Sequence, residues 1–377
     1  MNFQYKRVSR HRTCLICGKP DWCSYTPDTK ISFCARIVDN ADRVSRTGWG
    51  VFYHEKLLFA DTPLPFPSKP PPKKAELAPI EIRDFAYRKL IELSPATNSK
   101  EITDGSKGLR ERKILDFENY GSLPKNQIKR NEFAKIIRQL LNQEFPDFVR
   151  NQKSGLTGLP GFWVDKRGSS RLWLEKDFSE SMLLIPYRDP DGFIQACQIR
   201  LMGGLAEDSV HYLWLSTPKK NNGLSSGSPL HFGKQFSLDN RQTILITEGA
   251  LKAATAQIFY PELKVIALAG VSCSHDSVIQ FTRHYPMLIA FDSDYHRNRQ
   301  VVKHLTNLIN LRLIDSRIYG YAPDIKILVW SDIFKGIDDA LLNNVPIEQK
   351  LPADWLKSLN KSVKDVAYKI LKTQFIL

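Results

Sequence analysis

The stretch "ILITEGALKAATA" at residues 244–256 joins two patterns at a carboxylate. A run of aliphatic residues and a threonine, typical of a buried strand, ends at Glu248, and Gly249 follows at once. The remainder is rich in alanine and leucine and predicts a helix. A carboxylate at the tip of a buried strand costs free energy unless a proton, a metal ion or a charged partner meets it. The stretch therefore predicts a strand-to-helix turn with Glu248 in a functional position.

From residue 243 onward, short apolar runs alternate with helical patterns. We expect strands at 243–247, 264–268, 287–291 and 325–329, and helices at about 250–258, 275–284 and 297–311. This order is typical of an α/β protein in which helices cover a parallel, Rossmann-like sheet. In such a sheet the functional residues lie at the carboxyl ends of the strands.

Acidic residues follow three of these four strands. They are Glu248 after the first, Asp292 and Asp294 in "FDSD" after the third, and Asp338 and Asp339 in "KGIDD" after the fourth. Ligands that are all oxygen suit Mg²⁺ or Mn²⁺ rather than zinc. Each motif alone is more typical of a helix cap or a surface turn than of a metal site. At the ends of neighbouring strands, however, they predict a divalent-metal site in which Glu248 is a ligand or an acid/base group.

Four of the six cysteines lie close together in the pattern C-x2-C-x5-C-x10-C. They are Cys14, Cys17, Cys23 and Cys34. In a reducing compartment, clustered cysteines hold a metal more often than they form disulfides. Four protein ligands leave no open position on a tetrahedral ion, so the pattern predicts a structural zinc site. The alternatives are four free thiols, or a Cys3His site that uses His11 or His54.

The net charge of +14 favours polyanionic partners, with nucleic acid first and membrane surfaces second. Basic residues outnumber acidic ones by ten to five in residues 1–60 and by eleven to six in residues 107–153, which suits a partner that spans two regions. Near the cysteines lie aromatic and arginine side chains that suit base stacking and phosphate contact, or that form a small core of their own. They are Trp22, Tyr25, Phe33, Trp49, Phe52, Tyr53, Arg36, Arg43 and Arg46.

The remaining composition divides the chain into six expected segments. They are a zinc-ribbon nucleic-acid-binding module (1–58), a proline-rich linker (59–79), a small helical region (80–150), an α+β subdomain (151–240), the α/β catalytic domain (241–350) and a helical tail (351–377). Within the fourth segment, the turn Asp189-Pro190-Asp191-Gly192 predicts a hairpin across residues 182–201. No apolar run approaches the roughly 20 residues of a membrane span, and no secretion signal is visible, so we expect a cytoplasmic protein without a membrane partner.

The order of the acidic motifs resembles a known domain. The motifs occur in the order Glu-Gly, D-x-D and G-x-D-D. This order resembles that of the TOPRIM domain shared by DnaG-type primases, topoisomerases and OLD-family nucleases. The preceding "LLIPYRDPDGFIQACQIRL" and "YLWLSTP" are similar to the segment ahead of TOPRIM in bacterial and phage primases, which also carry a cysteine-rich zinc ribbon. The resemblance covers about 1–55 and 155–345, and it points to the TOPRIM primase-like proteins of plasmids, phages and other mobile elements.

The resemblance implies a DNA primase, a nucleotidyltransferase that makes short primers on single-stranded DNA from nucleoside triphosphates. It implies two divalent ions, Mg²⁺ or Mn²⁺, at the acidic edge, a structural Zn²⁺ in the ribbon, and a replicative helicase as a further partner. By position, Glu248 matches the family's acid/base glutamate. The family's metal-binding pair matches Asp292 and Asp294. Its later acidic motif matches Asp338 and Asp339. The alternatives are a TOPRIM nuclease and a non-catalytic replication-accessory DNA-binding protein.

Basic side chains would hold the template and the triphosphate. The candidates are Arg188, Arg200, Lys219, Lys220, Lys252 and Lys335. The chain departs from the family at two places. Lys252 stands where DnaG-type primases have an aspartate, and the expected zinc ligands are four cysteines rather than a Cys-His-Cys-Cys set.

Overall fold

A computed structural model describes most of the chain. The described residues are 6–9, 11–21, 23–27, 31–39, 41–45, 49–54, 76–151, 155–203, 211–234, 236 and 242–372. The predicted linker up to residue 75 lies outside these ranges, as do Trp22 and Arg46. The chain forms two compact units, residues 1–74 and residues 75–377.

The first unit is a small antiparallel sheet with the strand order β1-β2-β3-β5-β4. Its strands are β1 (Lys6–Arg7), β2 (Ser24–Tyr25), β3 (Ile31–Cys34), β4 (Arg43–Val44) and β5 (Gly50–Tyr53). Ser24 pairs with Phe33 and Tyr25 with Ser32, so the hairpin expected between the third and fourth cysteines is confirmed. Apart from three cysteines, Val8 and Val51 are the buried apolar side chains of its described part, and Tyr25 and Phe52 are half-buried.

The second unit begins with an α+β region. Its elements are α1 (Ile80–Leu93), α2 (Lys100–Asp104), β6 (Gly121–Leu123), α3 (Gln127–Glu144), α4 (Pro146–Arg150), β7 (Phe162–Val164), β8 (Ser170–Leu172), β9 (Met182–Arg188), β10 (Ile194–Leu201) and β11 (Tyr212–Trp214). A four-stranded antiparallel sheet has the order β11-β10-β9-β6. Its β9–β10 pair is the predicted hairpin. The Asn126 side chain accepts a hydrogen bond from the N–H of Lys129 and so caps the start of α3.

The second unit continues with alternating strands and helices. Its elements are β12 (His231–Phe232), β13 (Ile244–Glu248), α5 (Ala250–Phe259), β14 (Lys264–Leu268), α6 (His275–Thr282), β15 (Met287–Ala290), α7 (Arg299–Tyr319), β16 (Ile325–Val329), α8 (Ile337–Leu342), β17 (Glu348–Lys350), α9 (Pro352–Ser358) and α10 (Lys361–Lys372). A six-stranded sheet has the order β12-β14-β13-β15-β16-β17. Its four central strands run parallel, as predicted, and an antiparallel strand closes each edge.

Helices cover both faces of this sheet because its central strands carry buried apolar side chains on both faces. Ile244 and Ile246 face one core, to which α6, α7, α9 and α10 contribute. Leu245 faces the opposite core, which α5 and α8 cover. Helix α7 runs eight residues beyond its predicted end, because its apolar pattern continues until Gly320 adopts a left-handed conformation at φ 68°.

Helix α5 also joins the two sheets of the second unit. Ala250 and Leu251 pack with Leu183, Ile185 and Tyr187 of β9 in one buried cluster. The antiparallel sheet therefore lies directly against the first helix of the parallel sheet. In the described segments, no helix is both long and apolar enough to cross a lipid bilayer.

Replacing Leu251 tests this junction. Leu251 is 3% exposed, so Leu251→Ala should lower the free energy of unfolding by about 2–5 kcal/mol through lost burial and a residual cavity. Ile258, on the same helix, is 46% exposed, and Ile258→Ala should change the free energy of unfolding by less than about 0.5 kcal/mol. Urea unfolding followed by tryptophan fluorescence measures both. Equal losses in the two variants would contradict a shared core at Leu251.

Candidate functional site

The end of β13 positions the first acidic side chain. Gly249 adopts φ 76°, a conformation that residues with a Cβ rarely accept, and its N–H donates to the Leu268 carbonyl at 2.7 Å. The chain thereby turns from the strand into α5 directly after Glu248. Glu248 Oε1 accepts a hydrogen bond from the Asp292 N–H at 3.2 Å, which joins the ends of two neighbouring strands. Burial, reinforced by the charge of Asp292, raises the pKa of Glu248 to about 7.

The D-S-D segment after β15 is anchored by its central serine. Ser293 donates from its N–H to the Lys335 carbonyl at 2.9 Å and from Oγ to the Phe334 carbonyl at 2.7 Å. These bonds hold the segment against the chain that leads into α8. Asp294 Oδ2 accepts from Asn298 Nδ2 at 3.2 Å. Its Oδ1 is buried and has no hydrogen-bond partner among the described residues.

The two aspartates at the start of α8 differ in environment. Asp338 is 2% exposed and pairs through Oδ2 with the Arg112 guanidinium, while its Oδ1 is buried without a partner in the described part of the chain. Asp339 is exposed, and its carboxylate accepts from the Gly336 N–H at 3.4 Å, which is a helix-capping position. A Cβ on residue 336 would overlap the Asp338 carboxylate, so glycine is needed there.

Positive side chains reach into the acidic edge. The Lys252 ammonium, one helical turn after Glu248, pairs with Asp292 Oδ1, and Lys335 Nζ lies 4.0 Å from Asp292 Oδ2. Burial alone would lower the pKa of Lys252, but the carboxylates of Asp292 and Glu248 outweigh it and raise that pKa. Burial raises the pKa of Asp292, and the Lys252 ammonium opposes this rise. The edge is therefore a cluster of both negative and positive charges rather than a purely acidic one.

Two concavities flank the cluster. A cleft of about 190 Å³ lies between α5 and the antiparallel sheet, and its lining includes Gln198, Tyr212, Glu248, Gly249 and Lys252. A depression of about 680 Å³ lies beside the D-S-D segment, and its lining includes Asp294, Arg297, Asn298, Arg299 and Lys335. Substrate atoms that enter from either side would meet both carboxylates and cations.

The donor set fits a magnesium-type ion. Magnesium and manganese take oxygen ligands, and magnesium commonly keeps several waters while one or two carboxylates hold it. The unpartnered oxygens of Asp294 and Asp338 are such donors. In the described residues, the four cysteines form a group of metal-binding side chains in which all ligand atoms lie within 4.8 Å of one another. No three carboxylates of the described residues come this close together, and Lys252 and Arg112 are each paired with one carboxylate of the edge.

The six basic candidates occupy different places. Lys252 and Lys335 contact the acidic edge. Arg200 is buried and donates to the Lys107 carbonyl at 2.7 Å, and Arg112 Nε donates to the same carbonyl at 3.4 Å. Three others lie on β9 or in the loop after β11. Arg188 donates to the Gly192 carbonyl, Lys219 is exposed, and Lys220 pairs with Glu175.

Sequence reasoning did not identify Arg112 or Asn298 as site residues. Asn298 carries a local signal, because it lies four residues after Asp294 and its side chain caps α7 by accepting from the Gln300 N–H at 3.0 Å. Arg112 lies in a loop far from Asp338 in sequence, and its neighbourhood contains several other basic residues. No local pattern distinguishes it.

The four cysteines converge in the first unit. Cys17 and Cys23 Sγ lie 3.7 Å apart, and Cys23 and Cys34 Sγ lie 3.9 Å apart. A tetrahedron with Zn–S bonds of about 2.3 Å has edges of about 3.8 Å, so the spacing fits zinc. His54 Nε2 instead lies 2.7 Å from Ser32 Oγ. Backbone N–H groups of Ala35 and Ile37 donate to Cys23 and Cys34 sulfurs, which supports thiolate ligands.

The sequence matches no protein-family model, and no curated protein matches it. Among solved structures it is similar to the zinc-binding and RNA polymerase domains of the Aquifex aeolicus primase, with 12% identity, a TM-score of 0.45 and coverage of 77% of this chain and 66% of that one. It is also similar to the RNA polymerase domain of Mycobacterium tuberculosis primase DnaG, with 13% identity, a TM-score of 0.44 and coverage of 71% and 83%.

A third similar structure is a DnaG primase catalytic domain bound to single-stranded DNA, with 15% identity, a TM-score of 0.43 and coverage of 71% and 76%. The structural neighbours are thus DnaG-type primase domains. Identities and TM-scores this low describe a distant likeness of fold. The functional proposal therefore rests on the residues of this chain.

The Arg112–Asp338 pair can be tested by stability. Arg112→Met leaves the Asp338 carboxylate buried without its partner and should lower the free energy of unfolding by roughly 3–5 kcal/mol. In Arg112→Met/Asp338→Leu, most of this loss should be recovered, because no buried charge remains. Urea unfolding without added divalent ions measures both variants. An unchanged stability of Arg112→Met would contradict the buried pair.

The zinc cluster can be tested by metal content. Cys23→Ser should lose the bound zinc, because Cys23 lies at the centre of the sulfur contacts and is fully buried. Cys273→Ser, outside the cluster, is the matched control and should keep it. Elemental analysis by mass spectrometry after gel filtration gives the zinc content per chain. Retained zinc in Cys23→Ser, or equal loss in both variants, would argue against the four-cysteine site.

Proposed function

We propose that this chain is a DNA primase-like nucleotidyltransferase of the TOPRIM type, which synthesises short primers on single-stranded DNA in the replication of a plasmid, phage or other mobile element. The observation that carries the proposal is a group of carboxylates at one edge of the sheet. Glu248 at the end of β13 accepts a hydrogen bond from the Asp292 N–H after β15, and the Lys252 side chain that pairs with Asp292 also lies beside Asp338 at the start of α8. In the described part of the chain, Asp294 and Asp338 each keep a buried oxygen without a hydrogen-bond partner. The order of these residues in the sequence supports the assignment to TOPRIM.

The chain's own residues provide charge and proton handling for nucleotidyl transfer. A bound Mg²⁺ or Mn²⁺, held by Asp294 and Asp338, would stabilise negative charge on the triphosphate. With a pKa raised to about 7, Glu248 is suited to accept the proton of the attacking 3′-hydroxyl near neutral pH. Lys252 and Lys335 would face the phosphate oxygens, and pyrophosphate would leave along the cationic depression beside Asp294.

The remaining features suit a nucleic-acid template. In the first unit, the Arg12 guanidinium lies 4.2 Å from the centre of the Tyr25 ring, so a cation and an aromatic face are adjacent there. We propose that the zinc-bearing unit grips single-stranded DNA, that the second unit binds nucleoside triphosphates, and that a replicative helicase is a further partner.

A priming assay tests the proposal. Full-length protein is incubated with single-stranded DNA of mixed sequence, labelled NTPs or dNTPs, and Mg²⁺ or Mn²⁺. Wild type should yield short labelled products, and Asp294→Asn should reduce them by about 100-fold or more, the size expected for loss of one preorganised charge contact. Asp354→Asn, an exposed residue on α9, is the matched control and should not reduce them. Thermal melting verifies that both variants are folded.

Other outcomes of the same assay identify the alternatives. Degradation of the template by wild type but not by Asp294→Asn would replace the primase with a TOPRIM nuclease, because the same carboxylates would then activate water. Binding of DNA without synthesis or cleavage, equal in wild type and Asp294→Asn, would identify a replication-accessory binding protein.

A further inference from the structure

We infer that the acidic edge binds a single divalent ion, and that the Lys252 ammonium takes the place of a second positive charge at Asp292. This inference rests on the proposed function, because it concerns the metal used in that reaction. The sequence resemblance implies two ions, and this inference replaces one of them with the Lys252 ammonium.

The position of Lys252 is the first observation. Its ammonium contacts Asp292 Oδ1, and the two side chains are 24% and 11% exposed, so the pair lies within the edge rather than at its surface. Its stem runs past Gly336, where an added Cβ would lie 3.0 Å from Lys252 Cε. The lysine is therefore held in the edge by packing as well as by charge.

The charge balance is the second observation. Four carboxylates face this edge, those of Glu248, Asp292, Asp294 and Asp338. Lys252 neutralises Asp292, and Arg112 neutralises Asp338. Two negative charges remain when all four are ionised, which matches one divalent ion. Lys335 is 69% exposed and 4.0 Å from Asp292, so solvent screens much of its contribution.

The free oxygens are the third observation. A two-metal site places its ions about 3.5–4 Å apart, a spacing that requires closely grouped ligands. Here Asp292 Oδ1 is taken by Lys252, and Asp338 Oδ2 by Arg112. The buried oxygens without partners in the described part of the edge belong to Asp294 and Asp338, a donor set of the size that one magnesium-type ion uses.

Counting bound Mn²⁺ tests the inference without measuring activity. Zinc-loaded, full-length protein is titrated with Mn²⁺ in the absence of nucleotide, and free Mn²⁺ is followed by electron paramagnetic resonance. Wild type should bind one Mn²⁺ per chain, and Asp294→Asn should bind at least about tenfold more weakly. Lys252→Asp should bind two. The control Lys129→Asp makes the same charge change at an exposed position in the first turn of α3 and should bind one.

A second variant covers the case in which Lys252→Asp does not fold. Lys252→Met keeps the stem and removes the charge, so Mn²⁺ affinity should rise at least about tenfold over wild type. Two ions in wild type, a single ion in folded Lys252→Asp, or unchanged affinity in Lys252→Met would each overturn the inference. Two ions in wild type would leave the primase proposal intact. No Mn²⁺ in wild type, together with no priming, would overturn both.

Discussion

The half-buried ion pair between Lys252 and Asp292 is the interaction on which the acidic edge depends. Parallel strands end side by side, so β13 and β15 bring Glu248 and Asp292 together, with the Asp292 N–H on the Glu248 carboxylate. Burial penalises both carboxylates, and their mutual repulsion adds to the cost. The Lys252 ammonium, in the first turn of α5, pairs with Asp292 and offsets part of this cost.

Helix α5 serves both the packing and the chemistry of the second unit. Its Ala250 and Leu251 side chains join the core beneath the antiparallel sheet, while Lys252 turns toward the carboxylates. The same junction creates the cleft that Gln198 and Tyr212 line opposite Glu248. The site is consequently a property of two sheets packed together, which explains why much of its polar lining comes from outside the parallel sheet.

The first unit depends on a different principle. Its described core consists mainly of three buried cysteines, Val8 and Val51, with half-buried neighbours such as Tyr25 and Phe52. So few apolar groups contribute little burial free energy, and in small modules of this kind a metal supplies the missing stabilisation. All four sulfurs lie within 4.8 Å of one another, and two of their separations match the edge of a ZnS4 tetrahedron, as expected for such a metal-dependent fold.

By itself the sequence determined the alternation of strands and helices after residue 243, the parallel direction of the four central strands and the grouping of four cysteines, because each follows from local periodicity or spacing. It also placed carboxylates at the ends of β13 and β15, since parallel strands share an edge. Only the tertiary structure decided that Arg112 neutralises Asp338, that Lys252 takes one Asp292 oxygen and that Asp339 caps a helix. The physical reason is that charge pairing in a low-dielectric edge depends on which side chains reach it through space, and neither periodicity nor spacing along the chain records that distance.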